Sequence, residues 1–233
     1  MLMPLLQAFA LGAATQLSLV LSGLLVYFVN IPKNVVGCLA GFGAGALIAA
    51  IACDLLPDAE KLHAMQVALW IIIGALVFLL SDRIVEKKFG AGGTGGALGI
   101  VVGAVIDGIP EAIIFGIQLG NGLAISLAFL AAVFVSNIPQ ALAPSAELAA
   151  SGWSKTRVTL LWLWVVLGCG VAATLGYLLT TSVDGVTGAR LSAFAAGGIL
   201  AMLCDSLIPF AHERSEYAGL WTVIGFCAAL AMT

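Results

Sequence analysis

Asp107 and Glu111 stand four residues apart in Asp107-Gly108-Ile109-Pro110-Glu111-Ala112, inside an apolar stretch. On a helix that spacing puts both carboxylates on one face, and Gln118, seven residues beyond Glu111, continues it. The segment Ser136-Asn137-Ile138-Pro139-Gln140-Ala141 repeats the pattern at an offset of 29 residues, with Ser136, Gln140 and Glu147 at the same steps of four and seven. Ionisable groups within hydrocarbon cost at least roughly 2.5 kcal/mol each, so they need a partner, water or a bound ion. Pro110 and Pro139 cannot donate a backbone hydrogen bond, and the carbonyls of Ile106 and Val135 lose their usual partners beside these polar stripes. Such carbonyls together with Asp107, Glu111, Ser136, Asn137 and Gln140 form a mostly oxygen-donor set suited to a hard or borderline divalent cation. Two carboxylates would offset its charge. The same residues also read as interhelical glue, an acid hydrogen-bonded to Ser136, Asn137 or Gln140, with proline merely kinking the helices.

A second pair of segments carries related chemistry. Cys53, Asp54 and Pro57 are followed by Asp58, Glu60 and His63; Cys204, Asp205 and Pro209 are followed by His212 and Glu213. Acids at two ends of a pathway would raise the local cation concentration, and Cys53 and Cys204 could offer soft sulfur to a transition metal. The plainer reading makes the cysteines small core residues and the loop acids and histidines solvated groups.

The elements that must position these residues are membrane spans. Of the 233 residues 62% are hydrophobic and 9% charged, where a soluble domain carries about 25% charged residues; the mean hydropathy is +1.15. Eight apolar stretches stand out, at residues 5–29, 35–56, 65–80, 98–119, 123–148, 158–181, 191–210 and 220–232, most of them close to the roughly 20 residues that cross a bilayer. The connections are short, the longest being the Gly-rich stretch 89–96, so function is expected within one transmembrane domain spanning 1–233. A net charge of −3 leaves no basic surface for nucleic acid. The five cysteines, without CxxC spacing, read as buried thiols. No basic segment precedes the first stretch, which is expected to be a retained span with the mature chain starting near Met1.

Seven of the nine Lys and Arg residues fall in connections on one side: Lys33, Arg83, Lys87, Lys88, Lys155, Arg157 and Arg214; only Lys61 and Arg190 fall on the other. The positive-inside rule predicts a multi-pass protein of the cell (inner) membrane with both termini outside. The stretch AGALIAAIACDLLPDA from Ala44 matches AGGILAMLCDSLIPFA from Ala196, with Gly45 on Gly197 and Pro57 on Pro209. Since spans two and seven run in opposite directions, as do four and five, both matching pairs read as inverted repeats, giving an all-α 3+2+3 bundle: residues 1–88, a central pair 95–150, and 155–233.

At these motifs the chain resembles the Zrt/Irt-like (ZIP) family of divalent-metal transporters. That family has eight spans with both ends outside, a His-Asn-x-Pro-Glu-Gly motif on the fourth, a related Pro-Glu motif on the fifth, and a Leu-Leu-Pro-Glu-Ala-like end to the second. Here the counterparts are Asp107-Gly108-Ile109-Pro110-Glu111-Ala112, Ser136-Asn137-Ile138-Pro139-Gln140-Ala141 and Leu55-Leu56-Pro57-Asp58-Ala59. The family's fourth-span His is Asp107, its Asn is Gly108, and the fifth-span acids are Asn137 and Gln140. With only two carboxylates left, the resemblance implies a site for one divalent ion rather than two. Loss of imidazole shifts the expectation from Zn2+ toward Mn2+, Fe2+ or broad selectivity.

The expectation is therefore a non-enzymatic transporter that moves a divalent cation (Zn2+, Fe2+ or Mn2+) inward, by an elevator-like motion if the resemblance extends so far. Asp107 and Glu111 are the expected main ligands, with Ser136, Asn137, Gln140, Asp54 and Cys53 as further ones. Asp58 would lie on the entry, and Glu147, Asp205, His212 and Glu213 on the exit. The ion is substrate, no cofactor is expected, the bilayer is the surrounding partner, and the small-residue runs could pack a homodimer. Alternatives are a transporter of an organic cation or polar solute, and a non-transporting receptor-like relative. A protease is disfavoured, because Asp107 and Asp205 lie at different depths and no Ser–His element accompanies them.

Overall fold

The structure, a computed structural model, describes residues 2–89, 94–122, 125–181 and 185–233. Among these there is no strand. The helices are α1 (Leu2–Thr15), α2 (Leu17–Leu25), α3 (Lys33–Ala50), α4 (Leu56–Asp58), α5 (Ala64–Phe89), α6 (Thr94–Gly120), α7 (Leu127–Ala150), α8 (Lys155–Thr181), α9 (Gly185–Met202), α10 (Ile208–Arg214) and α11 (Ala218–Leu230). Five-residue π-turns, Ile51–Leu55 and Leu203–Leu207, join α3 to α4 and α9 to α10. Among the described residues seven continuous or joined helices are long and apolar enough to cross a bilayer, which makes this a multi-pass membrane protein. The expected eighth span, α11, has 13 residues and reaches only about 20 Å, short of a hydrocarbon core of about 30 Å. Residues 90–93 of the Gly-rich connection lie outside the described residues, as does the expected start of span five at Leu123.

Both π-turns are followed, after one intervening residue, by a proline. Leu56 N–H bonds Ile51 O and Ile208 N–H bonds Leu203 O, each five residues back, and Pro57 and Pro209 follow. A proline N has nothing to donate, so the ladder is already broken there, and the wide turn absorbs one extra residue before it resumes. The two turns fall at the offset that places Ala44 on Ala196.

Close approach of small residues sets the packing. A Cβ on Gly45 would run into Thr222 O and one on Gly225 into Phe42 O, which fixes α3 against α11; Gly197 meets Ile71 O and Gly74 meets Phe194 O in the same fashion, which fixes α9 against α5. Gly116 and Gly176 seat α6 on α8 through the carbonyls of Ala173 and Ile113. In hydrocarbon, where no hydrophobic force separates helix from lipid, such contact is what holds helices together. The core between them holds Leu47, Leu55, Ile199, Met202 and Leu203, with the Phe115 and Phe129 rings stacked at 4.8 Å.

Two expectations need correcting. Span one is not a single helix: it breaks at Gln16. Spans four and five do not face each other along their lengths, because α6 packs chiefly on α8, α7 chiefly on α3 and α2, and the two meet only briefly.

Candidate functional site

The break in the first span builds the centre of the site. Around it the backbone changes to three-residue bonds, Gln16 N–H to Ala13 O at 3.2 Å and Leu19 N–H to Gln16 O at 3.0 Å. Thr15 and Ser18 turn their hydroxyls onto the carbonyls of Gly12 and Thr15, leaving the Gln16 side chain to point across the bundle. Asn137 Nδ2 donates to Gln16 Oε1 at 2.9 Å, and Gln16 Nε2 donates to Glu111 Oε2 at 3.3 Å. The relay has one direction. Asn137 gives, Gln16 accepts on Oε1 and gives from Nε2, and the relay ends on Glu111 Oε2. Gln16 is 0%, Glu111 1% and Asn137 1% exposed, so three helices contribute one polar cluster sealed from the surroundings.

The cluster is incomplete at one atom. Glu111 Oε1 is buried and has no hydrogen-bond partner, and so is Gln118 Oε1, further along α6. An unsatisfied buried carboxylate oxygen is among the most costly arrangements a core can hold. Asp107, partly buried, lies within electrostatic reach of Glu111 and of Asp82 on α5. Three acids thus follow one another from α5 to the core of the bundle. Gly108 brings the α6 backbone close: a Cβ there would stand 2.8 Å from Cys169 Sγ and 3.4 Å from Gln16 Oε1. A side chain there, such as the asparagine of the resembled motif, would require Cys169 to shift.

The remaining expected residues separate into groups. Ser136 is buried, but its hydroxyl serves its own helix, donating to Val133 O at 3.0 Å, with Gly43 of α3 packed against its Cα. Gln140 is partly buried on the next turn. The Pro110 ring lines a nearly all-apolar cavity of about 130 Å3 with Gly74, Phe78, Ile106, Phe194 and Gly198, away from the amide relay. At one end of the bundle Asp54 Oδ2 accepts from Ser126 Oγ at 2.8 Å, while that oxygen accepts from Phe129 N at 3.0 Å and caps α7; Cys53 and Asp58 are partly buried beside it. At the other end Cys204, Asp205, His212 and Glu213 are exposed, and Glu213 pairs with Arg214 at 3.5 Å. Glu147 lines a cavity of about 240 Å3 in company with Lys33 and Arg214. Among the described residues no three His, Cys, Asp or Glu side chains converge as ligands of one ion.

Gln16, Asp82 and Ser126 were not singled out from the sequence. Gln16 carried a signal, the polar run Thr15, Gln16 and Ser18 inside an apolar span, where buried polar groups mark interior faces. Asp82 is adjacent to Arg83, where an apolar stretch gives way to charged residues, so nothing in its local sequence sets it apart. No family model matches this chain, and no curated protein matches it.

Proposed function

We propose that the chain is a membrane transporter for a divalent metal cation, bound where α1, α6 and α7 meet. The observation that carries this reading is the unpartnered, fully buried Oε1 of Glu111, one turn of α6 from Asp107. Two carboxyl groups near one another in a low-dielectric bundle, Asp107 and Glu111, favour a positive guest, and an ion arriving at Glu111 Oε1 completes the coordination that the amide relay leaves open. Asp107 and Glu111 supply the charge. Gln16 and Asn137 orient the carboxylate and, with Gln140 and the carbonyls freed by Pro110 and Pro139, add neutral oxygen. Asp54 and Asp58 form an entry, and Asp205, His212 and Glu213 an exit. Glu147, which shares its cavity with two cations, stands outside this path. The motifs shared with the ZIP family favour the same reading, as does the recurrence of a π-turn before Pro57 and Pro209.

A second reading, transport of an organic cation or polar solute, is favoured by one observation: no three metal-ligating side chains converge among the described residues, and the cluster is rich in amides.

The test is flux. In liposomes, uptake of Mn2+, Fe2+, Zn2+ and Cd2+ is expected to fall at least about ten-fold when Asp107→Ala and Glu111→Ala are combined, because losing only a group that orients a ligand already costs a metal site about 10- to 100-fold. Protons should compete with the metal for the same carboxylates. Unchanged flux in the double variant overturns the site. Calorimetry without heat from any divalent ion, alongside stabilisation by an amine, selects the second reading.

A further inference from the structure

The cavity between the end of α2, the start of α3, α7 and the end of α10 has about 240 Å3, with walls of Val26, Val29, Val36 and Leu142, and three charged groups on its lining, Lys33, Glu147 and Arg214. We propose that it is a headgroup site for a zwitterionic phospholipid bearing a primary ammonium, a phosphoethanolamine lipid, with the phosphate between Lys33 and Arg214 and the ammonium on Glu147.

Two observations lead there. First, the charges are of both signs and line one cavity, yet no ion pair joins Glu147 to Lys33 or to Arg214. Lys33, Glu147 and Arg214, the last also 3.5 Å from Glu213 outside the lining, stand with Asn30 around a space whose other side chains are apolar, and this set is complementary to a ligand that carries a phosphate and an ammonium a few atoms apart. A bare metal ion would meet Lys33 and Arg214, and a purely anionic headgroup would meet Glu147. Second, the cavity opens where α2 ends and α3 begins, at the ends of two apolar spans. Its mouth adjoins the belt expected at a membrane boundary: Tyr27 donates its hydroxyl to Trp153 O at 2.7 Å, and Lys155 Nζ sits 4.1 Å from the Phe28 ring centroid. Leu25, Phe28, Val29 and Val35 are exposed around it, an apolar flank for acyl chains that a soluble phosphate compound would leave unused.

The inference is independent of which solute crosses the bundle. Its test is native mass spectrometry of the full chain in detergent, titrated with dioleoyl phosphatidylethanolamine, phosphatidylcholine and phosphatidylglycerol, and separately with soluble phosphoethanolamine and inorganic phosphate. The ethanolamine lipid is expected to bind about five-fold more tightly than the choline lipid, whose quaternary nitrogen has no hydrogen to give Glu147. Glu147→Gln should bring that ratio to about one. Lys33→Gln should weaken both lipids about five-fold. Ala146→Leu, at an exposed position on the lining, should fill the space and abolish the preference without touching a charge. A ratio unchanged by Glu147→Gln overturns the proposal, as does phosphatidylglycerol binding as tightly as the ethanolamine lipid. Soluble phosphoethanolamine or inorganic phosphate binding as tightly as the lipid overturns its lipid character.

Discussion

At Ile51–Leu55 the π-turn is latched, with Asp54 bonded to the Ser126 hydroxyl that also caps α7; at Leu203–Leu207 the same backbone device leaves Cys204, Asp205 and Ser206 exposed. The turn itself follows from local sequence, since both instances precede a proline at matched positions. The latch does not. It depends on which element ends beside the turn, and only the first has the N-terminus of α7 there. Local repetition thus fixes a shared hinge-like irregularity, while tertiary neighbours decide whether each copy is closed or open. In the transport reading, that difference is one end shut and the other accessible.

The largest expected effect tests whether the two copies are equivalent at all. Gly45→Leu and Gly197→Leu each force a side chain into a neighbouring carbonyl, of Thr222 and Ile71 respectively, and each should cost about 3 kcal/mol of stability, the upper range for overpacking. Matching losses in detergent unfolding would sharpen the comparison. A loss at Gly45 well above that at Gly197 would confine the likeness to the π-turns.

Next in size is the site between the two ends. Gln16→Ala removes the link that satisfies both Asn137 and Glu111, at an expected cost of about 2 kcal/mol, and should loosen metal binding at least about ten-fold by freeing the carboxylate. If stability falls but metal binding does not, Gln16 is structural glue alone.

The third prediction sets the latched acid against the open one. Asp54→Asn weakens a charge-assisted bond and should cost about 1.5 kcal/mol, whereas Asp205→Asn, at an exposed position, should stay within about 0.5 kcal/mol. Equal losses would mean that the asymmetry has no energetic content.

Much of this is legible in the sequence. Apolar runs placed the helices, and the two proline motifs marked Glu111 and Asn137, which do share one cluster. What the sequence could not provide was the third element. Pairing Asp107 and Glu111 with Ser136, Asn137 and Gln140 assumed that spans close in sequence pack face to face, but α8 and α3 take those faces, and the link runs through Gln16. Residues four apart on a helix also differ by about 40° in direction, enough for Asp107 to come within reach of Asp82 on α5 while Glu111 meets the relay. The π-turns were invisible for a related reason: no residue type codes for them, and only the prolines that follow hint at a weakened ladder.

The smallest effect is the most direct probe of the latch. Ser126→Ala deletes the hydroxyl that caps α7 and holds Asp54, and should cost about 1 kcal/mol, the usual value of an N-cap. Ser126→Thr keeps the hydroxyl and should restore most of it. With Cys53 as the sole remaining thiol, a hydrophilic maleimide should label it slowly in the parent and several-fold faster in Ser126→Ala, approaching a chain whose sole thiol is the exposed Cys204. Faster labelling on loss of the hydroxyl identifies Ser126 as what keeps this π-turn closed. Loss of stability without faster labelling would reduce Ser126 to a cap on α7 and leave the closed end to be explained by packing around Leu55 alone.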